Sequence, residues 1–154
     1  MEFSLAGAAV SLMILAPNVI LLVFRPVDTP PSTRPPRLLM WIERAGQALC
    51  LVVPALTGHQ PGGPWWSVPL FACAAVYIGL WGRYVATGRR IAALYAPLGP
   101  IPVPMALFPV AAFLCAAGWL GSWWIALAAT ILAIGHIPLS LTTARATRSL
   151  PSGR

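Results

Sequence analysis

The chain has 154 residues, 58% of them hydrophobic and only 8% charged, with a formal net charge of +7. A soluble domain carries about 25% charged residues, so this composition excludes a water-covered globule and leaves lipid as the solvent for most of the chain. All the basic residues are arginines, and they lie between apolar runs, a placement that reads as membrane topology and excludes a nucleic-acid patch.

The first apolar run, Phe3 to Phe24, has Glu2 before it, no basic leader and no small-residue cleavage site, so it reads as a retained helix. Pro17-Asn18 interrupts it. Proline removes a backbone donor and frees a carbonyl one turn earlier, which a neighbouring helix must help to satisfy. The following segment, Arg25 to Arg37, has five prolines and three arginines and reads as a stiff polar loop. Leu38 to Leu56 is the second run, and it contains Glu43, Arg44 and Gln47. A carboxylate inside a membrane segment is costly and tends to face the protein interior at a working site.

A turn at His59 to Pro64 leads to the third run, Trp66 to Val85, and then to a basic loop at Gly88-Arg89-Arg90. Prolines 97, 100, 102 and 104 forbid a regular helix over the next stretch, so residues 91–102 read as an interfacial or re-entrant approach. The fourth run covers 103–120, with Pro104 in its first turn and a kink expected at Pro109. The fifth covers 123–141 and contains His136 and Pro138, and a polar tail with three arginines follows.

The expectation is an all-α helical bundle, one membrane domain with five spans (3–24, 38–56, 66–85, 103–120 and 123–141), each near the roughly 20 residues a bilayer needs. Arginines follow the first, third and fifth runs and are missing after the second and fourth. This places the N-terminus outside and the C-terminus in the cytoplasm. Trp65, Trp66, Trp119, Trp123 and Trp124 then fall at the outer boundary, and Trp41 and Trp81 near the inner one, as aromatic belts do.

At about 1.5 Å per residue, Glu43, Asn18 and His136 each lie roughly 7–9 Å inside the cytoplasmic end of their helices. Gln47 and Tyr77 are deeper and Arg83 shallower. These six residues, from every predicted span except the fourth, form the candidate polar layer. Glu43 and Gln47 share a helix face, whereas Arg44 points about 100° away from Glu43 and is free to snorkel. Arg83, His136, Asn18 and Tyr77 are the candidate partners of Glu43. The layer reads either as a cytoplasm-facing pocket or proton-relay site, with Glu43 and His136 titrating, or as a hydrogen-bond network that locks the helices. Gly7 with Ser11, and Ala129 with Ala133, mark close helix contacts within one bundle or between subunits.

No metal set is expected, since one histidine and one carboxylate do not make a three-ligand site. No cofactor or catalytic motif is present. Cys50, Cys73 and Cys115 are scattered one to a run and read as small hydrophobes.

Several segments together are similar to a family of short multi-spanning bacterial membrane proteins with no assigned activity. They are Ala16-Pro17-Asn18, Ile42-Glu43-Arg44-Ala45-Gly46-Gln47, Ile101 to Ala106, Phe108-Pro109-Val110 and Ile134-Gly135-His136-Ile137. The resemblance covers most of the chain through short motifs. It implies a multi-spanning membrane protein and assigns no activity; the expected location is the bacterial inner membrane. In that family the residue after the glutamate is often apolar, which implies that Arg44 is incidental. Three functions compete: a small transporter or transport subunit, favoured by the broken approach to the fourth span; an accessory or structural subunit with a membrane-protein partner or a second copy of itself; and, with least support, an enzyme acting on a lipid or isoprenoid.

Overall fold

The structure is a computed structural model that describes residues 3–29, 34–57 and 62–149. The described residues are helices and connecting loops, with one isolated bridge between Leu98 and Ile101. Ser4 caps helix α1 (Leu5–Leu15), its hydroxyl accepting from Gly7 N at 3.1 Å. Pro17 cannot continue the α-helical ladder. The chain tightens there into a 3-10 turn over Ala16–Val19 and resumes as the short α2 (Ile20–Val23). α3 covers Arg37–Leu56. α4 covers Ser67–Ala86 and is entered through a 3-10 turn at Pro64–Trp66.

After α4 the chain reverses through Gly88 and Arg89, both with positive φ, into the four-residue α5 (Ile91–Leu94). A tight turn joins Leu98 and Ile101 by two backbone bonds of 3.0 and 3.1 Å, with Gly99 at φ +56°. The proline-rich approach at 91–102 is therefore a short helix and a turn. α6 (Pro104–Leu120) ends at Gly121, whose left-handed φ of +64° turns the chain into α7 (Trp123–Ser149). α7 extends eight residues past the expected end of the last span at Leu141. Thr142, Thr143 and Thr147 bond the carbonyls four residues back within this extension.

Among the described residues, four stretches are long and apolar enough to cross a membrane: Leu5–Val23, Arg37–Leu56, Pro64–Ala86 and Trp123–Ser149. Pro104–Leu120, expected as the fourth of five spans, has 17 residues. That is about 25 Å, short of a hydrocarbon core of about 30 Å. Prolines 97, 100, 102 and 104 cut back its start. It is nonetheless the most enclosed helix. Ala106, Pro109, Val110, Ala112, Phe113, Ala116, Ala117 and Leu120 are buried as α4, α7 and α1 pack around it.

α3 lies on α7 and α1, and the helices approach closely where side chains are missing. Gly7 faces the Pro54 carbonyl, and Gly46 faces the backbone of Leu132. A Cβ on Gly135 would lie 2.5 Å from the backbone nitrogen of Glu43. The Gly7–Ser11 face expected to make a close contact is thus the α1–α3 seam.

Loop bonds sort the two ends of the bundle. Ser4 N donates to Ala55 O and Gly63 N to Gly118 O at one end. At the other, Val27 N donates to Arg89 O at 3.1 Å, Ile91 N to the Asp28 carboxylate at 2.8 Å, and Arg148 Nη2 to Pro102 O at 3.3 Å. Successive long helices therefore alternate in direction, and every described arginine lies in the half of the bundle at the second end. The outer surface is apolar, with Leu12, Leu22, Leu51, Val68, Phe71, Ile78, Leu114 and Ile134 exposed, as suits lipid.

Candidate functional site

The α3–α7 seam positions the one carboxylate–imidazole contact among the described residues. Because Gly46 and Gly135 present no Cβ, the two backbones meet closely enough for Glu43 and His136 to reach each other. Glu43 Oε1 and His136 Nδ1 are 2.5 Å apart, and each side chain is 24% exposed. With the carboxylate ionised, Nδ1–H donates to Oε1. With the carboxyl protonated, its O–H donates to Nδ1. The pair can therefore hold one proton in either arrangement, or lose or gain one to become carboxylate–imidazole or carboxyl–imidazolium. His136 Nε2 has no hydrogen-bond partner among the described residues.

The 91–102 segment folds back beside this pair. Tyr95 packs with Val103, Ala106 and Ala144, next to Ile137 and Leu141 on α7. Burial pushes the Tyr95 phenol above its ordinary value. The Thr143 hydroxyl opposes this, and a Glu43 carboxylate adds to it. Sequence reasoning did not single out Tyr95. Its one signal was a phenol inside a proline-rich stretch that a regular helix could not occupy.

The other predicted site residues go elsewhere. Tyr77 Oη donates to Asn18 Oδ1 at 2.7 Å, tying the break in the first span to α4. Arg83 Nη2 donates to the carbonyls of Ala93 and Ala96 at 3.1 and 3.3 Å and so pins α5. Gln47 is exposed on the flank of α3 and has no side-chain bond among the described residues. The six residues form a Glu43–His136 pair, a separate Asn18–Tyr77 pair, an arginine anchor and a free amide. Arg44 lies over Trp41 and not against Glu43. His59 lies outside the described residues. Among those described, no three His, Cys, Asp or Glu side chains come together.

No protein-family model matches the chain, and comparison with curated proteins and with solved structures gives no match either.

Proposed function

We propose that the chain is a five-span protein of the bacterial inner membrane, N-terminus outside and C-terminus cytoplasmic, that acts as a small transporter or transport subunit with Glu43 and His136 as its proton-handling site. The observation that carries this reading is the 2.5 Å carboxylate–imidazole pair, half-open at 24% exposure. Glu43 is the only acidic residue among the described ones in a helix long enough to span. A carboxylate at such depth is expensive, and proton relays are among its common uses.

Access is supported by the break at Pro17. Asn18 and the Phe24 carbonyl bond to Tyr77 and Tyr84 of α4, so the end of the first span leans on α4 and leaves the Glu43–Gln47 side of α3 open. The α6 helix counts as the fourth of the five spans in this reading, since it packs between α4 and α7 and its two ends are bonded at opposite ends of the bundle. The arginine-rich end is cytoplasmic by the positive-inside rule.

The test is proton movement in sealed vesicles carrying the purified protein, followed with an internal pH-sensitive dye under an imposed gradient. The expected result is faster equilibration than in empty vesicles, with most of the difference lost in Glu43→Gln. Equal rates for wild type, Glu43→Gln and empty vesicles would contradict the reading.

The exposed amide of Gln47 favours a second reading, an accessory subunit whose partner, or a second copy, covers that flank of α3. Gentle solubilisation followed by mass spectrometry decides between them. A stoichiometric partner protein would make this the leading account.

A further inference from the structure

The start of α3 carries a feature that the proton site does not use. Arg37, Trp41 and Arg44 are spaced i, i+4 and i+7, so they share one helix face. With Met40 at its margin, this face lines an open groove of about 320 Å³. The face looks outward: Trp41 is 67% exposed, and both arginines are exposed. The Arg44 guanidinium sits 5.7 Å from the centroid of the Trp41 ring. A cation–π contact of this kind holds the charge over the groove.

Neither arginine is neutralised by the described acids. Glu43 is bonded to His136, and Asp28 accepts from the backbone of Ile91. The groove therefore has two cations that no described acid compensates, an indole and a thioether, and it lies at the arginine-rich end of the bundle. Below it, the same face of α3 continues as exposed Ala45, Ala48 and Val52.

A small soluble anion would use only the charges. A phospholipid uses the whole face, with its phosphate on the guanidiniums and an acyl chain along the apolar continuation. Indole rings favour the same headgroup level. We propose that this groove binds an anionic phospholipid, its phosphate held by Arg37 and Arg44 and its glycerol region against Trp41. Arg37 and Arg44 are about 10 Å apart along the helix axis, a gap that two arginine side chains leaning toward each other can bridge. Arg44, incidental by family resemblance, gains a role here. The inference needs the bundle to lie in a bilayer, but it does not need the proton site.

The test is native mass spectrometry of the full-length protein in detergent. It is titrated with phosphatidylglycerol, with phosphatidylcholine of the same acyl chains, and with glycerol 3-phosphate. The first phosphatidylglycerol should bind more tightly than phosphatidylcholine and should not be displaced by glycerol 3-phosphate. Arg37→Gln with Arg44→Gln should weaken it on the order of tenfold. Arg44→Gln alone, which leaves the helix start intact, should lose part of that. A control, Arg90→Gln with Arg145→Gln, removes two exposed arginines from the same end and should leave the first lipid within about twofold of wild type. Equal binding of the two lipids would overturn the proposal, as would unchanged phosphatidylglycerol binding in the Arg37/Arg44 variants. An equal loss in the control would assign the effect to diffuse charge, and displacement by glycerol 3-phosphate would assign it to a free anion. Either would overturn the lipid site.

Discussion

Pro54 has no amide hydrogen to offer the Cys50 carbonyl one turn back, and the Ser11 hydroxyl of α1 takes its place at 2.9 Å. Gly7, one turn before Ser11, lets α1 come near enough for that bond. Ser11→Ala should therefore leave a carbonyl unsatisfied in an apolar seam and cost about 1 kcal/mol. Pro54→Ala restores the helix's own donor, so Ser11→Ala should cost less in that background. A double-mutant cycle of unfolding in detergent measures the difference, and equal costs in both backgrounds would contradict the compensation.

At the other seam, Gly135→Ala places a methyl 2.5 Å from Glu43 N. The helices must part, at about 1–3 kcal/mol, and the Glu43–His136 bond lengthens with them. Undiminished stability would contradict the close approach. Depth along each helix was legible in the sequence, and it brought Glu43 and His136 under consideration together. The partner of Glu43 was not legible. In helices that are apolar on most faces, periodicity does not say which side meets which neighbour, so four candidates stood open. The choice of His136 comes from Gly46 and Gly135, whose missing side chains set where α3 and α7 touch.

Elements behave as their prolines dictate. Pro17 turns one expected span into α1, a 3-10 turn and α2, and the turn is held by the Asn18–Tyr77 bond. Tyr77→Phe and Asn18→Leu should each cost about 1 kcal/mol. The double variant should cost little more than the worse single one, because both remove the same bond. Additive losses in an unfolding assay would place the two residues in separate interactions.

The proline-rich 91–102 segment could be recognised as irregular from its composition. Its docking against α7 through Tyr95 could not, since that contact joins residues roughly fifty apart and rests on shape. α6 was legible as an apolar run. Its shortness follows from Pro104, and its burial on nearly every side follows from the order in which the helices pack, which the run itself does not encode. The reach of α7 to Ser149 was hidden by polarity. Thr142 to Arg148 read as a tail, yet their hydroxyls bond back to the helix and Arg148 bonds across to Pro102.

At the scale of the whole molecule, the alternation of arginine-rich and arginine-free loops recurs as two chemically different ends. One end carries every described arginine, and the other carries Trp65, Trp66, Trp119, Trp123 and Trp124. In the proposed five-span arrangement, with the arginine-rich end in the cytoplasm, a periplasm-active reporter fused after Arg154 should be silent. Strong activity would overturn the orientation.

The central claim is that Glu43 and His136 are kept together for proton handling and not for stability. Sites kept for function often cost stability, and a partly buried charged pair is weak evidence for stabilisation. The most direct test is the melting temperature of Glu43→Gln in detergent at neutral pH, beside the wild type. The account predicts a value equal to or above the wild type, since an amide of the same shape fits the seam. A clear fall of several degrees would mean that the pair locks α3 to α7 and would contradict the claim.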